Sequence, residues 1–357
     1  MNFSSSIRDN ENKSQEVAKF ENKAHFYYID IQEDVKKKSQ VLLYGKIKME
    51  GTETMASACI VVEGMQRSYY VFKRVNDNTT LEQTQEEIVK KIEKRHPNIA
   101  KDMKIKPVTN KYYNFELDIA RGSVEVIKIS YSFDLPVLEV DFEGVAYNGI
   151  IGGTYKPTEL FLIKNKIMGP CWLEISDFKV SKQKEMTHCD VEIRVESRYD
   201  IQTVGQIMEV PKFKAVSLSL VREKDGNGNI KVIAGLYTSS YDVESVQQTV
   251  MTTPFAFVVI SEKLKEKDKR EIIEKAFGRN ITFVVNDYAM IQAFLQNLAR
   301  MDPDLIIGHD ANNIFFEALL ARCEALKIDM LSNLSRSKRD SAEMKRALKT
   351  FGTKKIR

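Results

Sequence analysis

A run of nine residues late in the chain constrains the fold more than any other feature. Asp302-Pro303-Asp304-Leu305-Ile306-Ile307-Gly308-His309-Asp310 sets three aliphatic residues between two turn signals, the pattern of a short buried strand. Ile314-Phe315-Phe316-Glu317-Ala318-Leu319-Leu320-Ala321-Arg322 follows, and Phe316, Leu319, Leu320 and Cys323 recur at helical spacing. The predicted unit is strand 304–308, a Gly-His turn, and helix 311–326, which opens where a metal-binding carboxylate could sit.

The rest of the chain places this unit in a larger α/β order. Residues 1–23 are polar and read as a flexible arm. Strands are expected at 25–31, 41–49, 56–63 and 68–73, then a helix at 81–95 with the capping-box spacing of Thr80 and Gln83, stopped by His96-Pro97. Further strands are expected at 111–117, 123–133, 160–164, 171–178 and 188–195, with the glycine-rich span 142–158 as an extended loop. Polar residues and Pro211 mark a break near 197–212. Beyond it the expected order is strand 213–221, a hairpin over Asp225-Gly226-Asn227-Gly228, and strands 230–237 and 255–260. Helix 268–277, strand 281–285 and helix 287–300 then lead into the opening motif. Strands followed by alternating helix and strand predict an α/β fold with a mixed sheet, α+β overall. The domains are an arm (1–23), a β-rich N-terminal domain (24–205) and a second domain (206–357).

Composition sets outer limits. At 357 residues, about two or three domains are expected, and 43% hydrophobic residues suffice for a substantial core. No apolar run approaches the roughly 18 residues of a membrane span, so no membrane partner is expected. Cys59, Cys171, Cys189 and Cys323 are far apart, which argues against a zinc cluster or disulfide framework. A net charge of +4 permits nucleic-acid contact without requiring it.

The D-P-D-x-x-x-G-H run resembles the second exonuclease motif of family B DNA polymerases, in which D-P-D, two apolar residues, G-[HY]-N leads to F-D. His25-Phe26-Tyr27-Tyr28-Ile29-Asp30, Val41-Leu42-Leu43-Tyr44-Gly45-Lys46-Ile47, Glu159-Leu160-Phe161-Leu162 and Lys166-Ile167-Met168-Gly169-Pro170-Cys171-Trp172-Leu173-Glu174-Ile175 are similar to its primase-associated, primer-extending branch. The resemblance covers about Ala24 to Arg336 and implies an N-terminal domain followed by a ribonuclease-H-like, 3′–5′ exonuclease-type domain. No counterpart of the palm, fingers or thumb is present, and the reading is a chain truncated before the palm. For the parent it implies a DNA-directed DNA polymerase, a nuclear nucleotidyltransferase using Mg²⁺. Its partners would be a DNA template, an RNA–DNA primer, primase and an accessory subunit.

The same resemblance exposes what is missing. In active members a D-x-E pair on the first strand and the Asp of the second motif hold two cations, about 4 Å apart. Here the pair falls on Leu218 and Leu220, the motif Asn on Asp310 and the motif Asp on Phe315. A two-residue shift over Asn312 to Glu317 would offer one carboxylate. The ungapped register is preferred because it also aligns Glu317 to Arg322. No catalytic group, metal site or cofactor is therefore expected in this region. Asp30, Asp34, Asp302, Asp304 and Asp310 read as solvated, capping or turn residues, and Ser217 and Ser219 lack a His-Asp arrangement.

Nucleic-acid contact has two sequence candidates. The basic tail offers Arg336, Lys338, Arg339, Lys345 and Arg346 to phosphates, although a solvated end explains the same charges. The doublets Tyr27-Tyr28, Tyr69-Tyr70 and Tyr112-Tyr113 include possible base-stacking rings, with one ring of each in the core as the plainer alternative. The resemblance leaves two roles open: a scaffold and template-path region of a polymerase that does not proofread, or a stand-alone nucleic-acid-binding or interaction module derived from one.

Overall fold

The computed structural model describes residues 20, 22–34, 36–49, 55–74, 78–112, 122–139, 144–205, 208–223, 228–245, 251–259, 267, 270–271 and 280–338. Three sheets organise them.

β1 (Lys23–Glu33), β2 (Val41–Lys48) and β3 (Met55–Val62) form an antiparallel run, and β2 is buried almost throughout because both of its faces are covered. β4 (Gln66–Lys73) leaves for a second sheet. α1 (Leu81–Arg95) starts at the expected capping box, with Gln83 N donating to Thr80 Oγ1 and Thr80 N donating to Gln83 Oε1. It buries Ile88 and Ile92. α2 (Pro97–Asp102) follows at once, its proline in the first turn where no N–H is needed. β5 (Lys104–Tyr112), β6 (Gly122–Ser132) and β7 (Tyr147–Gly152) complete the second sheet, in the order β5-β6-β4-β7. α3 (Pro157–Lys164), β8 (Cys171–Ser176), β9 (Phe178–Val180), β10 (Val191–Val195) and β11 (Ile201–Thr203) return to the first sheet, giving β11-β8-β1-β2-β3-β10-β9.

The third sheet begins with β12 (Phe213–Arg222), β13 (Ile230–Tyr241), β14 (Thr253–Val259) and β15 (Ile281–Val284). α4 (Asp287–Met301) then crosses to β16 (Leu305–Ile307), and the order is β15-β14-β13-β12-β16. β14 and β15 run parallel, as do β12 and β16, while β13 is antiparallel to its neighbours, so the sheet is mixed as expected. α4, α5 (Glu317–Ala325) and α6 (Met330–Leu334) cover one face of it. Arg322 of α5 pairs with Asp287 at the start of α4.

Several expectations are corrected. Residues 160–164 belong to a helix, because Pro157 sits in its first turn and Glu159 Oε2 accepts from Lys156 N. The span 142–158 contains β7, whose Gly149 and Gly152 adopt positive φ while the backbone still pairs with β4. The strand expected at 111–117 runs instead over Lys104–Tyr112, and 113–117 lie outside the described residues. The arm ends sooner than expected: β1 starts at Lys23, and Phe20 packs edge-on against Phe178, 5.9 Å between ring centroids. The expected helix 311–326 opens with a π turn, Ala311–Phe316, before α5. The hairpin residues 225–227 and most of the expected helix 268–277 lie outside the described residues.

Candidate functional site

The geometry of the nuclease-like site follows from the pairing of β12 with β16. Their parallel register sets Ala215 beside Leu305, Val216 beside Ile306 and Ser217 beside Ile307. Along β12 the side chains alternate: Ser217 and Ser219 are exposed, while Val216 and Leu218 are buried beneath the helices, with Leu220 packed against the same core. At Gly308 the chain turns close to β12, and a Cβ there would lie 3.3 Å from Leu218 O and 3.1 Å from Ala311 Cβ. The π turn then aims Phe315 back into the sheet. Phe315 is 3% exposed and meets Phe294 and Phe316 edge-on, at 6.1 and 5.3 Å.

Leu218 and Phe315 are buried in one apolar core, with Leu220 packed against it. A hard divalent cation needs oxygen ligands, and these three side chains supply none. Among the described residues, no group of three or more His, Cys, Asp or Glu is arranged to hold a metal ion. Asp310 stays outside this cluster. It is exposed at φ 44°, and its Oδ1 accepts from Asn313 Nδ2 at 2.6 Å. Glu317, the residue offered by the shifted register, is exposed on α5.

Asp302 is the C-cap of α4, in keeping with its reading as a capping or turn residue, whereas Asp304 overturns that reading. The Asp304 side chain is 1% exposed and accepts from Lys46 Nζ at 2.7 Å, Lys214 N at 2.8 Å and Arg336 at 2.9 Å. Lys46, itself 4% exposed at the side chain, also donates to Lys212 O. Arg336 grips Asp302 through both carboxylate oxygens, each at 3.0 Å. Burial alone would lower the Arg336 pKa, but the Asp302 carboxylate leads the charges that raise it above its usual value. Its backbone oxygen accepts from His188 N and Thr187 Oγ1, Lys338 N donates to Met186 O, and Thr187 bridges Ser337. Segment 336–338 is therefore strapped to the first sheet's loop at 186–188. Arg336 is withdrawn from the phosphate-binding candidates because its charge is already matched. Lys338 remains exposed, its Nζ donating to Lys184 O. Arg339, Lys345 and Arg346 lie outside the described residues. Sequence reasoning gives Lys46 no role, and its only local signal is a lysine between the apolar residues of Val41–Gly45 and Ile47.

Beside this clamp runs a groove of about 650 Å³ between the first and third sheets. Lys48, Trp172, Lys212, Lys214 and Ser239 are among its walls. Trp172 is fixed by donating to Glu209 O at 3.0 Å and by an edge-on contact with Tyr27 at 5.4 Å. Of the tyrosine doublets, Tyr27, Tyr28 and Tyr69 are buried, Tyr70 and Tyr112 are half-buried, and Tyr113 lies outside the described residues. The cysteines are free; burial pushes the Cys189 thiol up to about 11 and that of Cys323 up to about 12. No described helix is long and apolar enough to cross a membrane.

The sequence model of the DNA polymerase family B exonuclease domain matches residues 150–356. The DNA polymerase alpha catalytic subunit of Sterkiella nova is 28% identical over 341 residues, covering 90% of this chain and 22% of the relative. That of Xenopus laevis is 28% identical over 328 residues, covering 88% and 22%. That of Arabidopsis thaliana is 26% identical over 359 residues, covering 88% and 23%. The chain spans about a fifth of the length of these curated relatives.

Proposed function

Because the chain belongs to the family B DNA polymerases through their exonuclease domain, we propose that it is the N-terminal and exonuclease-like region of an alpha-type replicative polymerase, serving as a scaffold that does not proofread. Residues 24–205 form the N-terminal domain and 206–357 the exonuclease-like one. The carrying observation is the convergence of Leu218, Leu220 and Phe315 in one apolar core, where two-metal hydrolysis needs several carboxylates around two cations. Hydrocarbon in those places stabilises the sheet and removes the nuclease chemistry together.

The whole protein, in this reading, is a DNA-directed DNA polymerase that extends RNA–DNA primers on a DNA template in the nucleus, beside primase and an accessory subunit. Mg²⁺ belongs to carboxylates of its palm, outside this region. The groove walled by Lys48, Lys212, Lys214 and Trp172 supports a template-path role, since lysines there can face phosphates.

A 5′-labelled primer incubated with the purified chain and Mg²⁺ or Mn²⁺ tests the proposal. The 3′ end should stay intact over a period in which a proofreading family B polymerase digests it. Digestion that co-purifies with the chain and stops with EDTA would sink the non-proofreading reading.

A further inference from the structure

The second sheet has two unlike faces. Tyr69, Val71, Ile127 and Ile129 point toward α1 and α2 and form a closed core. The alternate residues form the opposite face. Its register sets Ile151, Tyr70, Lys128 and Lys106 in one cross-strand row, and Ser68, Ser130 and Lys104 in the next. One end of this face is apolar, with Phe72 and Val126 buried. The other end is cationic: Lys104 and Lys106 are exposed, and Lys128 is half-buried between strands.

Two further cations reach the same place from outside the sheet. Lys164 ends α3, and Arg198 is tied beside it, its NH1 donating to Asn165 Oδ1 at 3.4 Å. Burial first, then the charges of Lys164, Lys106 and Arg198, lower the Lys128 pKa, and no carboxylate is among the causes. Among the described residues, Lys104, Lys106, Lys128 and Lys164 form no ion pair, in contrast to Lys46 or Lys179. Like charges directly opposite one another on a sheet are destabilising, so Lys106 beside Lys128 is a cost the fold does not offset. An anion on this face would offset it. Tyr70, in the same row as both lysines, adds a half-exposed ring beside the charges. A ring next to a row of cations matches a chain that alternates flat bases with phosphates, and an acidic peptide would not need the ring.

We propose that this face of the second sheet is a binding site for single-stranded nucleic acid, with Lys104, Lys106, Lys128, Lys164 and Arg198 on the phosphates and Tyr70 under a base. The site lies on a different sheet from Leu218, Leu220 and Phe315, so it stands or falls independently of the nuclease reading.

Fluorescence anisotropy with a fluorescein-labelled 20-nucleotide oligo(dT) or oligo(rU), using the full chain at a series of salt concentrations, tests it. Lys106→Gln with Lys164→Gln changes two exposed side chains and leaves the sheet core intact. It should weaken binding by about tenfold and reduce the slope of log K against log salt by about 1.4. Tyr70→Leu should weaken binding by about tenfold with the slope unchanged, because stacking carries no counterion release. Circular dichroism melts confirm that each variant folds. The proposal is overturned if the wild-type chain binds neither oligonucleotide at low salt, or if the double variant keeps wild-type affinity and slope. It is also overturned if Tyr70→Leu has no effect, or if poly-glutamate competes as well as the oligonucleotide, which would mark a general anion surface.

Discussion

Phe315 packs against Phe294 and Phe316 in the apolar core of the third sheet, so its substitution has a defined direction. Phe315→Ala should lower unfolding stability by about 3–5 kcal/mol, read from the urea midpoint. Placing acids at all three positions (Leu218→Asp, Leu220→Glu, Phe315→Asp) should destabilise further without any gain of 3′-end digestion, since like charges would then be buried together. Asp304 behaves differently, because its partners are fixed cations. Asp304→Ala leaves the buried Lys46 ammonium without its carboxylate, while Arg336 keeps Asp302, and should cost about 3–5 kcal/mol. Lys46→Met should cost less, because Arg336 still holds the carboxylate; equal losses in parallel denaturations would refute that ordering. Glu87 gives a pH signature. Burial works to raise its pKa, but the N–H groups of Ala146 and Val145 and the charge of Lys91 outweigh it, and the net shift is downward. Its contribution is therefore present above the ordinary glutamate range and is lost as pH falls through the lowered value. Thermal melts from pH 7 to pH 3 should show a smaller acid-side loss in Glu87→Gln than in the wild type.

Elements differ in how openly their residues declare them. α1 is legible because a capping box and a 3.6-residue period agree, and Thr80→Ala should cost about 1 kcal/mol in thermal or urea denaturation. α3 is easily misread because a short apolar run has no period to count, and the informative residues are Pro157 and Glu159 at its start. β7 is hidden by glycines that usually mark loops, although here they bend a paired strand. Counting from a motif singles out Leu218, Leu220 and Phe315, and the structure shows them in one apolar core. The clamp is not legible in this way: Lys46 and Asp304 are 258 positions apart, and only tertiary placement joins them. No spacing rule reaches that far.

At the scale of the molecule, the first and third sheets are joined by the Lys46–Asp304–Arg336 cluster and by the strap of 336–338 on 186–188. Hydrogen exchange should detect the strap directly. In Arg336→Ala the amides of His188 and Lys338 should exchange about tenfold faster, while those of α1 keep their wild-type rates. Uniform acceleration across the chain would mean global destabilisation instead. The clamp also gives neighbouring parts of one motif separate mutational fates. Any residue of similar shape and polarity can drift into position 315, where only packing filters replacements. Asp304 is screened by the buried Lys46, 258 positions away, so a neutral replacement there is rejected unless Lys46 changes with it. If the chain does not proofread, as proposed, such a motif erodes unevenly: its acidic opening outlasts the residue to which, in a working nuclease, it leads.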